Sequence, residues 1–204
     1  DNIENVEISG SITEKIEEAE NITKITSVGN YELYTNNSWT NLQSKIADAQ
    51  NLSRDLDEDS QNIIDSTRQA LETAMSVGEG GLVYHEGYYD NVELVLTSLE
   101  EYGISVSLEN LNLVNPTMIV ENNTYNVFKE SKINALQVVL NNMDQTKKAN
   151  EQQQIENMVT EISDAKNDLE ETTDLQNAIT TMLGRYENIN RSWYETEYLN
   201  EIKK

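Results

Sequence analysis

The sequence predicts a predominantly α-helical protein made of tandem three-helix bundles. Apolar side chains recur every three or four residues over most of the 204 residues, as in helices with one buried face. The helical pattern also repeats along the chain, and an apolar content of 37% is enough to build cores. The 104–121 crossover alternates in places and contains the only proline, so we expect short strands there.

The first three helices are predicted between residues 11 and 77. Ser11 and Glu14 have capping-box spacing and open the first helix. An irregular or extended link, "TKITSVGNYELYTNNS", follows it. The second helix has the apolar stripe Trp39, Leu42, Ile46, Ala49 and Leu52. The third has the stripe Ile64, Thr67, Leu71 and Ala74. Gly78 then stands at the position typical of a helix end.

Four further helices are predicted after residue 90. The first has the stripe Val92, Val95, Leu99 and Tyr102. It ends at Gly103, where the extended crossover begins. The others are predicted in "NVFKESKINALQVVLNNM", "EQQQIENMVTEISDAKNDL" and "DLQNAITTMLGRY", each with apolar residues at helical spacing.

Two parts of the chain are similar to one another. At a spacing of 86 residues the matching positions are Trp39 with Tyr125, Leu42 with Phe128, Ala49 with Ala135 and Leu52 with Val138. At a spacing of 91 residues they are Ile64 with Ile155, Leu71 with Ile162 and Ala74 with Ala165. A longer loop between the second and third helices of the second copy explains the difference between the two spacings. Such a lengthening costs little free energy. We therefore predict that Tyr125 heads the second helix of the second copy.

The repeat determines the predicted domain boundaries. We expect a first three-helix module over 1–77, a linker over 78–90, a second, divergent module over 91–170, and a C-terminal helix over 171–204 that starts a further module. The linker "SVGEGGLVYHEGYYDN" is rich in glycine and tyrosine. We predict that one or more of its large side chains dock between the modules, the candidates being Leu82, Val83, Tyr84, Tyr88 and Tyr89.

The first module resembles a known family. The run "YTNNSWTNLQSKIADAQNL", a polar turn and "SQNIIDSTRQALETAM" are similar to the FIVAR module of Gram-positive cell-surface proteins. The matching positions are Tyr34, Thr35, Ser38, Trp39, Leu42, Ala49, Leu52, Leu71 and Ala74. The similarity covers about 11–77 and is degenerate over about 90–170, where Tyr125 replaces the Trp. It implies three-helix modules arranged in arrays on secreted or wall-anchored proteins, and it brings no catalytic residues.

Charge and cysteine content limit the classes of partner and of chemistry that the chain can have. Asp and Glu number 37 against 14 Lys and Arg, which gives a formal charge of -23 that repels nucleic acid and anionic membranes. The chain lacks cysteine, which excludes disulfides and thiolate chemistry, and its longest apolar runs are too short to span a membrane. An acidic, Asn- and Thr-rich chain fits an extracellular, cell-surface or cell-wall location at least as well as the cytosol, and we expect the extracellular one.

The candidate ligand-binding residues are aromatic or titratable: Tyr84, His85, Tyr88, Tyr89 and Trp193. His85 with Glu79, Glu86 and Asp90 suggests a metal or acid–base cluster, but zinc spacings are absent and a linker histidine is the favoured interpretation. Trp39 and Trp193 suggest sugar-stacking platforms, although helical spacing favours a core position for Trp39.

Other motifs favour no catalytic chemistry. Asp55, Asp57 and Asp59 alternate like calcium ligands, but Ser60 and Ser66 stand where an EF-hand needs Gly and Glu. Sequons begin at Asn21, Asn36, Asn51, Asn122 and Asn190, as expected by chance in an Asn-rich chain. A phosphate loop, a nucleophile elbow and a zinc-protease motif are all absent. We therefore expect no enzyme activity, cofactor or metal.

The sequence favours two functions, and a third, an isolated enzyme centred on His85, stands behind them. The first is a structural or adhesive repeat module that acts as a spacer and binds a host matrix protein or glycan, with neighbouring modules of the same chain as partners. The second is a carbohydrate-recognition accessory module of a larger surface enzyme, in which residues 82–91 or Trp193 stack on sugar rings.

Overall fold

The structure, a computed structural model, describes the backbone of residues 12–52 and 58–193 and the side chains of residues 12–52 and 61–187. It confirms a predominantly α-helical fold with short strands. In the described ranges the α-helices are α1 (12–20), α2 (Asn36–Gln50), α3 (Glu58–Met75), α4 (Asp90–Thr97), α5 (Glu130–Asn141), α6 (Gln152–Asn167) and α7 (Thr173–Trp193). The strands are β1 (Thr117–Val120) and β2 (Asn123–Asn126), and 3-10 helices cover Ser98–Tyr102 and Ala149–Glu151.

The chain divides into two compact units whose bounds differ from the predicted ones. Unit 1 comprises Asp1–Tyr88 and Gln145–Ile155, and unit 2 comprises Tyr89–Asp144 and Glu156–Lys204. Residues 78–88 therefore belong to unit 1, whereas we expected a linker over 78–90. Residues 145–155, expected in the second module, also belong to unit 1, and 171–204 are counted with unit 2.

Unit 1 has a core in which α1, α2 and α3 place their apolar faces together. Its buried members are Ile12, Ala19, Tyr34, Leu42, Ile46, Ala49, Ile64, Leu71, Ala74 and Leu82. These residues include most of the predicted stripes, since spacings of three and four bring side chains onto one helix face. Trp39 and Leu52 are partly buried and pack against this cluster. The helical spacing of Trp39 thus reflects packing.

The segment predicted as a linker is held in unit 1 by its own apolar residue and by a tight turn. Leu82 is only 1% exposed and joins the core of unit 1. Its amide donates to the Ser76 carbonyl, 2.7 Å away, so the chain folds back on the end of α3. Gly78 and Gly80 in the turn have φ of 132° and 80°, values that residues with a Cβ rarely adopt. The glycines therefore serve a fixed turn.

Hydrogen exchange distinguishes this arrangement from a linker. The amides of Leu82, His85 and Gly87 are bonded to the carbonyls of Ser76, Leu33 and Lys147. We expect them to exchange at least about 100-fold more slowly than in the unfolded chain. The exposed amide of Glu79 at the turn is the control and should exchange fast. Equal, fast exchange at all four amides, measured by NMR, would contradict the assignment.

Unit 2 combines a β-hairpin with helices. β1 and β2 are antiparallel, with Met118 opposite Tyr125 and Val120 opposite Asn123. Their turn places Glu121 and Asn122 at φ of 48° and 68°, the signs required by a type I′ turn. The buried apolar residues of unit 2 are Val92, Val95, Leu96, Leu99, Ile104, Val106, Val120, Phe128, Ile133, Leu136, Leu140, Met158, Ile162 and Leu175.

The predicted register of the second helix in the second copy is wrong. Tyr125 lies in β2 and does not head a helix, because α5 begins only at Glu130. Fully or almost fully buried positions instead match at a spacing of 94 residues: Tyr34 with Phe128, Leu42 with Leu136 and Ile46 with Leu140. The spacings of 86 and 94 residues differ by about two helical turns. Each spacing therefore aligns the apolar stripe of one copy with that of the other. The spacing of 91 residues pairs buried positions in α3 and α6, such as Leu71 with Ile162.

The same backbone link occurs in both units just before the second helix of each copy. In unit 1, Tyr34 forms an antiparallel bridge with Tyr84, and in unit 2, Phe128 forms one with Glu171. Each bridge has two hydrogen bonds. They run from Thr35 N to Val83 O (2.8 Å), His85 N to Leu33 O (3.0 Å), Lys129 N to Glu170 O (2.8 Å) and Thr172 N to Val127 O (2.8 Å). In each copy, the chain leaving the third helix thus pairs with the chain entering the second.

Side-chain amides complete the backbone pairing of unit 2. The Asn115 amide donates to Phe128 O at 2.7 Å, and Phe128 N donates back to the Asn115 side-chain oxygen at 3.1 Å. Gln137 binds the crossover in a similar way through Leu111 O and Leu113 N, at 3.0 and 2.8 Å. These amides satisfy backbone groups that no strand partner reaches. They hold the long crossover in place.

An ion-pair cluster in unit 2 makes stability depend on pH. Hydrogen bonds from Lys129 and then Lys132 lower the pKa of Glu170 below its ordinary 4.5. Hydrogen bonds to Asp168 and Glu170 raise the pKa of Lys132 above 10.5. A lowered carboxyl pKa stabilises the folded state above the unfolded-state value, and this contribution disappears as the pH falls through the lowered pKa. The raised lysine pKa contributes below its unfolded value and is lost as the pH rises through the folded value.

We therefore expect Glu170→Gln to be less stable than the wild type at pH 7, by a modest margin because the cluster is exposed. The difference should shrink as the pH falls through the acidic range. Urea unfolding followed by circular dichroism at several pH values measures it. Glu109→Gln, an exposed acid outside the cluster, is the control. A difference that stays constant down to strongly acidic pH would contradict the assignment.

Candidate functional site

The stretch 82–88 forms the centre of an extended layer in unit 1. On one side it pairs with the chain that leads into α2, through the bonds at Thr35 and His85 described above. On the other side Gly87 N donates to Lys147 O and Ala149 N donates to His85 O, both at 2.9 Å. The layer therefore joins parts of unit 1 that are far apart in sequence. It also places the candidate residues Tyr84, His85 and Tyr88 on a paired backbone.

A buried glutamine fixes the end of this layer. The Gln152 side chain is at the start of α6 and is 2% exposed. Its Nε2 donates to Tyr88 O at 2.9 Å, and its Oε1 accepts from Tyr88 N at 3.0 Å. The side-chain amide thus replaces a neighbouring strand, which holds the Tyr88 backbone at one position.

The aromatic residues of the layer form two stacks. Tyr88 stacks on Tyr31, with ring centroids 4.4 Å apart, and on His85 at 5.0 Å. Tyr34 stacks on Tyr84 at 5.3 Å and on Trp39 at 6.2 Å. Offset parallel rings at these distances add stability beyond the area they bury.

The two stacks engage their polar atoms in different ways. The Tyr88 hydroxyl donates to Glu32 O at 3.3 Å, and His85 Nδ1 lies 3.0 Å from Glu86 O, where it donates if it carries the proton. Burial, and next the neighbouring Tyr84, raises the pKa of the Tyr34 phenol. These aromatic side chains are therefore largely used for packing and internal hydrogen bonds.

An open cleft of about 570 Å³ lies beside this layer in unit 1. It is lined by Thr23, Ile25, Thr26, Ser27, Asn30, Leu33, Tyr84, Ala149, Asn150, Gln152 and Gln153. None of these side chains carries a formal charge at neutral pH, although a quarter of the chain's residues are Asp, Glu, Lys or Arg. Hydroxyls, amides and one tyrosine give it hydrogen-bonding groups, and Ile25 and Leu33 add apolar surface.

Of the predicted ligand-binding residues, the structure places only Tyr84 at this cleft. His85 and Tyr88 belong to the stack with Tyr31, and the Tyr89 hydroxyl donates to Asp144 O in unit 2 at 2.8 Å. The side chain of Trp193 lies outside the described residues, as do Ser11, the Asp55 and Asp57 pair and the Asp59 side chain. Sequence reasoning missed the polar lining residues, because exposed Thr, Ser and Asn carry no periodic signal.

Smaller openings also occur in the described part of unit 2. One, of about 390 Å³, lies between the hairpin and α7 and is lined by Val120, Glu121, Tyr125, Asp174, Asn177, Ala178, Thr181 and Arg185. Arg185 and Glu121 form an ion pair there at 2.8 Å. The other, of about 540 Å³, is a shallow groove between α5 and α6 with three acidic residues, Glu161, Asp164 and Asp168. Both contain charged side chains, unlike the cleft in unit 1.

Across the described ranges, no group of three or more His, Cys, Asp or Glu side chains is arranged to hold a metal ion. No helix in the part of the chain that the structure describes is long and apolar enough to cross a membrane. Comparisons with protein-family models, curated proteins and solved structures gave no match.

Proposed function

We propose that the chain is a non-catalytic structural and adhesive repeat module of an extracellular surface protein of a Gram-positive bacterium. In this role it acts as a spacer between other parts of that protein and contacts a host matrix protein or a glycan. The resemblance of residues 11–77 to FIVAR modules supports this proposal, because such modules are arranged in arrays. Its neighbouring modules are then its constant partners.

The observation that carries the proposal is the backbone link found in both units. The Tyr34–Tyr84 and Phe128–Glu171 bridges each connect the entry of a second helix with the exit of a third. A unit whose entry and exit are paired in this way can recur along a chain, since each copy brings its own core. After each bridge the next helix along the chain begins within a few residues, α4 at Asp90 and α7 at Thr173. This order suits a serial array.

The positions that repeat favour a structural role. The residues that match between the copies are mostly core residues, such as Leu42, Leu71 and their counterparts. The matching residues therefore maintain the packing of each unit, as expected of a spacer.

The runner-up function, a carbohydrate-recognition accessory module of a larger surface enzyme, is favoured by the uncharged cleft of unit 1. The cleft has amides, hydroxyls and Tyr84, which are the groups that bind sugars. This function and the spacer function are compatible in one chain. Ligand binding is essential for the accessory module, whereas mechanical extension is essential for the spacer.

Two measurements test the spacer proposal. Antibodies raised against the chain should label intact cells that produce it naturally, and labelling only after lysis would exclude a surface location. In optical-tweezer experiments the purified chain should unfold and regain its folded length through repeated cycles of stretching and relaxation. Irreversible unfolding after the first cycle would contradict a role in mechanical extension.

A further inference from the structure

The cleft of unit 1 differs chemically from the rest of this acidic protein. The chain has a formal charge of -23, yet among the residues that the structure describes no ionised side chain lines a cleft of about 570 Å³. An anionic ligand would be repelled by the protein as a whole, and a cationic one would find no carboxylate in the cleft. The volume lies within the range of small-molecule sites. These facts favour an uncharged, polar ligand.

The rim and the base of the cleft have different roles. Thr23, Ser27, Asn30 and Asn150 are exposed, so their hydroxyls and amides face solvent and are accessible to a ligand. Each can donate and accept, as required to pair with the hydroxyl groups of a sugar. Ile25, 46% exposed, and the half-buried Leu33 and Tyr84 add an apolar surface. Sugar rings present the same combination of polar edges and apolar faces.

The groups at the base of the cleft are held by hydrogen bonds and ring stacking. Thr26 is 5% exposed, and its hydroxyl donates to Val28 O at 2.5 Å and accepts from Tyr31 N at 3.0 Å. Gln152 is held by its two bonds to Tyr88, and the Tyr84 ring is stacked on Tyr34. Because these groups are fixed in the folded chain, a ligand does not have to order them, which reduces the cost of binding.

We propose that this cleft binds a neutral saccharide, with Asn30 and Asn150 as hydrogen-bonding residues and Tyr84 as the aromatic surface. The inference rests on the proposed function, since it identifies the glycan that an adhesive module contacts. A neutral sugar satisfies the amides without introducing charge. Short peptides from matrix proteins are the competing occupant, and the test includes them.

The experiment uses the full chain labelled with ¹⁵N and a panel of neutral hexasaccharides with gluco, xylo, manno and N-acetylglucosamine repeats. A hyaluronan hexasaccharide, which is anionic, and a collagen-derived peptide are the comparison ligands. We expect at least one neutral member to shift the amide signals of Thr23, Asn30 and Asn150 at concentrations below about 10 mM, where weak binding is measurable. The comparison ligands should leave these signals unchanged.

Two variants locate the site. Asn30→Gly removes the side-chain amide, and glycine tolerates the φ of 56° at this position. Asn150→Ala removes the second side-chain amide from an exposed position. Each should weaken binding about 5- to 10-fold, as expected for one hydrogen bond. Asn37→Ala, an exposed asparagine outside the cleft, is the matched control and should bind like the wild type.

The inference is overturned if no neutral saccharide shifts the cleft signals, if hyaluronan or the peptide binds there instead, or if both variants bind like the wild type. None of these results affects the optical-tweezer test, which needs no ligand. Loss of the saccharide site would thus leave the spacer proposal intact. Irreversible mechanical unfolding would remove the spacer proposal without removing measured saccharide binding.

Discussion

Replacing Gln152 by Leu is expected to lower the free energy of unfolding by about 4 kcal/mol, because two backbone groups lose their partner. The Gln152 side chain is 2% exposed and bonds both the N–H and the C=O of Tyr88. Leucine fills a similar volume but offers neither donor nor acceptor. Urea unfolding followed by circular dichroism measures the loss, and the Tyr88 amide should also lose protection from hydrogen exchange.

The control for this prediction is two residues further along the chain. Gln154 belongs to the same run of three glutamines but is exposed on α6. Gln154→Leu should change the free energy of unfolding by less than about 0.5 kcal/mol. If both variants lose the same stability, the effect comes from helix α6 and the role assigned to the Gln152 amide is wrong.

Replacing Gly81 by Ala is expected to cost at least about 3 kcal/mol, since the added methyl group would meet fixed backbone atoms. A Cβ at this position would lie 2.0 Å from Ser76 O and 2.6 Å from Thr73 O. Thr73 lies in the last turn of α3 and Ser76 follows its last residue, so these backbone carbonyls cannot move away as a flexible side chain would. Thermal unfolding should show a correspondingly lower midpoint, with loss of the turn that places Leu82 in the core.

Gly184 in α7 is the matched glycine for comparison. A Cβ there would meet nothing within 4 Å. Because alanine favours helix over glycine, Gly184→Ala should raise the free energy of unfolding by about 0.5–1 kcal/mol. Opposite signs for the two Gly→Ala changes support the assigned contacts. Equal losses would mean that the close approach at Gly81 does not decide its effect.

The positions of most helices could be predicted from the sequence because their signal is local. Leu42, Ile46 and Ala49 lie on one face whatever the rest of the chain does, and the structure buries all three. The same periodicity explains why the register of the second copy was misjudged. A helical stripe superimposes on itself after about two turns, so Leu42 aligned as well with Phe128 as with Leu136.

The candidate site was only partly accessible to sequence reasoning. Tyr84 was identified as a candidate because of its aromatic ring, but Asn30 and Asn150 resemble any other exposed asparagine in an Asn-rich chain. Gln152 could not be separated from the two glutamines that follow it, since burial is a property of the folded unit. A polar cleft formed by distant segments leaves no pattern at a fixed spacing.

Local patterns in the sequence predict the helical class and the apolar stripes of α2, α3 and α6, and the composition gives the strong negative charge. The assignment of 78–88 to unit 1, and of 145–155 to the same unit beside an uncharged cleft, is visible only in the folded chain. The difference lies in the range of the interactions. Helices form through contacts three and four residues apart, whereas the bonds of the His85 and Tyr88 backbone join residues more than 50 positions apart.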